Sequence, residues 1–155
     1  MDSAKLTSQL RLIASQKGQA DVLQRIAEAI RVSGNYRWVG LYNVNHVAGT
    51  VTNIAYSGPG APEFPSFPIG KGLTGGAIKE KITVNIGDVS SDPRYLTAFG
   101  STRSEIIVPI FDAGGDKVIG TIDVESEHPN AFDAQTQGIL EACAKAIASL
   151  WHVVS

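Results

Sequence analysis

Three acidic residues fall where strand spacing brings them together. The segments Ser104–Asp112 and Lys117–Ser126 read as the strands of a hairpin, with Ala113, Gly114 and Gly115 as its loop. Counting by twos, Ile106, Val108 and Ile110 share one face of the first strand, and Val118, Ile122 and Val124 share one face of the second. That face is all core. The opposite face carries Glu105, Ile107 and Phe111 on one strand and Ile119, Thr121, Asp123 and Glu125 on the other. A three-residue loop sets Glu105 directly across from Asp123, with Glu125 as a diagonal neighbour. Like charges facing each other at about 5 Å destabilise a sheet, so such a patch calls for bulk water, a bound cation or a carboxyl that keeps its proton. Ile107, Phe111 and Ile119 beside the acids need cover, which argues against open water. An earlier strand points Trp38, Gly40 and Tyr42 one way and Val39 and Leu41 the other. A half-apolar face with two aromatics, a glycine and three acids reads as the floor of a small-molecule pocket. The chemistry it suggests is recognition of an ammonium group by carboxylates, with aromatic rings adding a cation–π contribution.

The elements that must hold these residues follow from periodicity. Leu6, Leu10 and Ile13, then Val22, Leu23, Ile26 and Ile30, recur at helical spacing, with Gly18 and Gly34 as stops. Two N-terminal helices are expected. Tyr36–Val44 and Thr50–Ser57 read as an antiparallel hairpin around Asn45–Gly49. Ser57–Gly72, with Pro59, Pro62, Pro65 and Pro68 every third residue, reads as a stiff extended loop. Then come a short helix over Leu73–Lys79, a short strand over Ile82–Ile86, and mostly loop from Gly87 to Gly100 with a break at Asp92-Pro93. A final helix runs from about Ala134 to Val153, with Asp133 as its N-cap. The fold class is α+β: a mostly antiparallel sheet with the N- and C-terminal helices on one face and a loop-covered pocket on the other. The 155 residues suit one domain, divided as helices over 1–34, sheet and pocket loops over 36–126, and a terminal helix over 133–154.

Composition narrows the function. Thirteen Lys and Arg against fifteen Asp and Glu, without a basic run, remove the electrostatic basis for binding nucleic acid or anionic membrane. No apolar stretch approaches a membrane span or a secretory leader, so a soluble cytoplasmic protein is expected. The lone cysteine, Cys143, excludes a disulfide within the chain, a cysteine-rich zinc site and a dithiol cycle. His46, His128 and His152 lack paired-ligand spacing, so no metal is expected, and no cofactor either. Gly70–Gly76 is not a phosphate loop: Pro65 stands where the first glycine would be, and neither Ser nor Thr follows Lys71. A Gly-x-Ser-x-Gly nucleophile elbow is absent.

With these pieces in place the chain resembles a GAF domain, and within that group the free methionine-(R)-sulfoxide reductases. The resemblance runs from about Arg37 to Leu140. It rests on Trp38-Val39-Gly40-Leu41-Tyr42, Pro68-Ile69-Gly70-Lys71-Gly72-Leu73-Thr74-Gly75, Ser104-Glu105-Ile106-Ile107-Val108-Pro109-Ile110 and Gly120-Thr121-Ile122-Asp123-Val124-Glu125-Ser126. It implies substrate-binding positions at Trp38, Tyr42, Glu105, Asp123 and Glu125, the set that strand counting also gives. The departures bear on chemistry. Those reductases attack the sulfoxide with cysteine and then form a disulfide; their three cysteine positions here read Phe64, Thr74 and Ala98, and an acid after the third reads Phe99. A threonine hydroxyl neither ionises near neutrality nor closes a disulfide. Glu125 stands where the family usually has the shorter aspartate. The asparagine-lysine-phenylalanine signature of cyclic-nucleotide GAF domains and a cysteine for bilin attachment are not seen.

The expectation is therefore a non-catalytic sensor of a small polar metabolite, an amino acid or related amine, with no catalytic residue. Trp38 and Tyr42 form aromatic walls, Glu105, Asp123 and Glu125 receive the ammonium, and Thr74 at a helix start donates to a carboxylate or oxide. The alternatives are a reductase-like enzyme using an external thiol and a protein-interaction module with an empty pocket. Leu140, Cys143, Ile147, Leu150 and Val154 form one apolar stripe of the last helix. Burying Cys143 in the core is its simplest use; the sharper one is a homodimer seam through the terminal helices.

Overall fold

The computed structural model describes residues 3–16, 21–96 and 100–151. Six strands form one antiparallel sheet: β1 Trp38–Asn45, β2 Thr50–Ser57, β3 Ser66–Pro68, β4 Val84–Ile86, β5 Ser104–Phe111 and β6 Val118–Ser126. Their order across the sheet is β3-β2-β1-β6-β5-β4. The helices are α1 Ser3–Ala14, α2 Val22–Gly34, α3 Gly72–Glu80 and α4 Ala134–Ile147, with 3₁₀ turns at Val89–Ser91 and Ala148–Leu150. Helices α1, α2 and α4 cover one face, where Leu10, Ile26, Ile30, Leu140 and Ile147 pack on Val39, Leu41, Ile106, Val108, Ile122 and Val124. The opposite face carries α3, whose Leu73 and Ala77 pack against Ile107 and Val84. Among the described residues no helix is long and apolar enough to cross a membrane.

Local chemistry sets the helix ends. Asp133 caps α4 as expected, accepting from the Thr136 amide at 2.8 Å. After α2, Asn35 takes the left-handed conformation, φ 53°, and its amide returns to the Arg31 and Val32 carbonyls. The expected stop at Gly18 lies outside the described residues. The terminal helix ends earlier than periodicity predicts: α4 gives way to a 3₁₀ turn after Ile147, and Val153 and Val154 lie outside the described residues. There the Trp151 indole donates to the Tyr42 carbonyl at 3.0 Å, which ties the end of the chain to β1. Leu140, Cys143 and Ile147 are fully buried in the chain's own core, so a seam cannot use them.

Two strand readings need correction. The proline segment is not loop throughout, because Ser66–Pro68 pairs with Thr50–Thr52 as an edge strand. Pro68 is tolerated there, since an edge strand has a side that needs no amide. The β5–β6 register also differs. The loop holds four residues, with the Asp112 amide bonded to the Lys117 carbonyl at 2.9 Å, and Ile119 is an extra residue between the pairs Ile110↔Gly120 and Phe111↔Val118. Each adds one residue to the offset. Beyond the bulge the register has slipped by two, so Glu105 faces Glu125, Ile107 faces Asp123, and all acids keep their predicted face. Before the bulge it has slipped by one. Val118 therefore joins Trp38 and Tyr42 on the pocket side, and Ile119 joins the helix-side core, the reverse of the expectation. Smaller differences are the starts of β1 at Trp38 and β4 at Val84, where Thr83 turns its hydroxyl to Glu141 Oε2 at 2.6 Å.

Candidate functional site

The acid floor is built by β5 and β6. Glu105, Asp123 and Glu125 are 4 %, 7 % and 0 % exposed, and one oxygen from each lies within 4.8 Å of the others. No lysine, arginine or histidine joins them among the described lining residues. Glu125 Oε1 is anchored: the Thr102 hydroxyl donates to it at 2.7 Å and the Tyr95 hydroxyl at 3.4 Å. Asp123 Oδ1, Glu125 Oε2 and the Thr121 hydroxyl are buried with no donor or acceptor among the described residues. One oxygen of Glu105 lies within 4.8 Å of one of Asp123. Two carboxylates are acceptors only, so a hydrogen bond between them needs a proton on one of the two.

Burial sets the electrostatics. Loss of water raises Glu105 well above the carboxylate range, and Asp123 and Glu125 add to the rise. Burial pushes Asp123 up to about 6, held back by its hydrogen bond with Glu105. It pushes Glu125 up to about 8, with Asp123 adding and the Thr102 and Tyr95 hydroxyls opposing. Tyr42 is also raised, chiefly by burial and then by the three acids.

The walls come from β1, α3 and two loops. Tyr42, Thr74, Phe64, Leu96, Glu105 and Asp123 line a common space of about 30 Å³. That holds about two waters, at roughly 10–15 Å³ each. The amides of Gly72, Leu73 and Thr74 open α3 at this space, and Lys71 supplies no side-chain cap. Gly72 has φ 68°, and a Cβ there would stand 3.3 Å from the Leu96 Cβ, so the Arg94–Leu96 segment closes on the helix start.

Of the residues expected from sequence, Tyr42, Thr74, Glu105 and Asp123 line this space together. Trp38 and Glu125 stand behind it. Trp38 is fully buried, stacks on Tyr56 with centroids 6.3 Å apart, tilts against Tyr42 and donates to the Gly60 carbonyl at 3.0 Å. Its indole lies over Gly40, where an added Cβ would come within 2.2 Å of the ring. Sequence reasoning missed Phe67, Leu96, Tyr95 and Thr102. The last three sit in or beside the Gly87–Gly100 loop, which has no periodicity to place a side chain. Phe64, read only as a lost cysteine position, is a wall residue, and Ala98 and Phe99 lie outside the described residues.

Comparison with known proteins agrees with this architecture. The GAF domain family model matches residues 20–150. The free methionine-R-sulfoxide reductase of Saccharomyces cerevisiae is 34 % identical over 110 residues, 71 % of this chain, which spans 60 % of the yeast protein's length. Among solved structures, the type II free methionine-R-sulfoxide reductase of Thermoplasma acidophilum is 32 % identical, with a TM-score of 0.77 over 91 % of this chain and 94 % of that one. The free methionine-R-sulfoxide reductase of Neisseria meningitidis, solved with its substrate, is 28 % identical, with a TM-score of 0.85 over 96 % and 87 %.

Proposed function

Because the chain belongs to the GAF domain family, we propose that its buried acid floor makes it a non-catalytic sensor of a small polar metabolite carrying an ammonium group, an amino acid or related amine. The observation that carries this reading is the three buried carboxylates with no cation beside them. Buried charge is retained only where something compensates it. Glu105 and Asp123, with Glu125 behind them, are assigned to the ammonium, and Tyr42, backed by Trp38, to the aromatic wall. Thr74, with the opening amides of α3, is assigned to a ligand carboxylate or oxide. An acid pole and a helix N-terminus lining one space suit a zwitterion. An ammonium head is about the size of a water and fits the 30 Å³ as it stands, whereas the rest of an amino acid has to displace Phe64 or Leu96.

Similarity to reductases does not supply their reagent. Cys143 is the chain's only cysteine, is buried on the helix side of the sheet, and burial pushes its thiol up to about 12. Pairing through the terminal helices belongs to the same proposal, with Leu12 of α1 and Val32 of α2, 66 % and 62 % exposed, as the apolar contacts.

Thermal shift against a panel of amino acids and amines, including free methionine-R-sulfoxide, tests the reading. A ligand at 100 times its Kd adds about 2.7 kcal/mol of stability. The proposal expects such a shift in the parent and its loss in Asp123→Asn. No shift from any amine refutes binding, and consumption of methionine sulfoxide with an added dithiol refutes a non-catalytic role.

A further inference from the structure

We infer that the acid floor takes up its ligand by exchange, releasing the proton held between Glu105 and Asp123 as a monovalent ammonium cation enters. This rests on the ammonium reading above and adds what the site holds beforehand. The three carboxylates lie within 4.8 Å of one another and are nearly or fully buried, so three negative charges there would be uncompensated. One proton shared between Glu105 and Asp123 relieves their like-charge contact, and Asp123 Oδ1, buried with no partner among the described residues, is left to receive an incoming donor. A proton offsets that charge without occupying any of the 30 Å³ between the acids and the walls. With that proton present, one oxygen the incoming ammonium needs is already engaged. Cation and proton therefore compete for the same lone pairs.

The surrounding groups leave this competition intact. Facing the acids are Tyr42 from β1 and Tyr95 from the 92–96 segment, both neutral when protonated, and Thr74 from α3. Lys71 before α3, Lys79 of α3 and Arg103 beside Thr102 are exposed, and Arg94 is spent on Asp92 at 2.8 Å. Thus no protein cation substitutes for the ligand among the described residues. Burial raises both carboxyls of the pair, so the proton persists above the ordinary carboxylate range.

The experiment uses the whole chain with propylammonium chloride as probe, which stays protonated below pH 9. Side-chain carboxyl ¹³C shifts are followed from pH 5 to 9, with sodium chloride at equal ionic strength as control. Exchange of one proton makes the apparent Kd rise about tenfold for each pH unit below the cluster's midpoint. It also moves the Glu105 and Asp123 titrations to lower pH when the probe is present. Glu105→Gln flattens this dependence, because the amide donates to Asp123 without a titrating proton. Saturable binding with a pH-independent Kd overturns the exchange and leaves the ammonium reading standing. Absence of a saturable shift at every pH overturns the ammonium reading itself. Stronger displacement of the proton by calcium chloride than by propylammonium at equal concentration overturns the monovalent class.

Discussion

Replacing Glu125 by glutamine isolates the electrostatic cost of the acid floor. In the unfolded chain this carboxyl titrates near its ordinary 4.5, whereas in the fold it holds its proton up to about 8. Between those values the folded state binds more protons than the unfolded one, so stability falls as pH rises. At about 1.4 kcal/mol per pH unit, the rise from the ordinary value to pH 7 costs about 3 kcal/mol. Below pH 4.5 both states are protonated and the penalty is absent. Glutamine keeps the shape, accepts from Thr102 through its oxygen and carries no charge. Urea unfolding from pH 4 to 8 should show the variant matching the parent at pH 4 and exceeding it by about 2–3 kcal/mol at pH 7. Parallel pH profiles for the two proteins would refute the reasoning, because they would mean that Glu125 ionises in the fold as it does in water.

Other expectations concern the scaffold. Gly40→Ala forces the Trp38 indole off the sheet, where the added Cβ would meet it at 2.2 Å, and should cost about 1–3 kcal/mol in urea unfolding. Cys143, buried and with its thiol raised to about 12, should resist a thiol reagent such as dithionitrobenzoate in the native protein and react on denaturation. Cys143→Ala should leave every ligand response unchanged. Leu12→Glu combined with Val32→Glu should turn a dimer into a monomer by light scattering; a parent that is already monomeric contradicts pairing through those helices.

Most of the scaffold was legible because its signals are periodic. The apolar repeats of α1, α2 and α4, the alternation in β1, and the shared face of Glu105, Asp123 and Glu125 follow from spacing alone. The acid face survived a register error because two one-residue additions, a longer loop and the Ile119 bulge, restore parity. Val118 and Ile119 lie where only one addition applies, and they were misplaced. A bulge leaves no mark in an apolar-rich strand. β3 was hidden by prolines that an edge position tolerates. The walls were least legible: Leu96, Tyr95 and Thr102 reach the acids from aperiodic chain, and only tertiary packing brings them there.

The central claim is that the floor of Glu105, Asp123 and Glu125 retains an ammonium-bearing metabolite. Equilibrium dialysis at pH 8 against a mixture of common amino acids and simple amines, read by mass spectrometry, tests it most directly. The parent should enrich at least one amine-bearing compound, and Asp123→Asn should lose that enrichment while remaining folded. Retention of none, or equal retention by parent and variant, would contradict the claim.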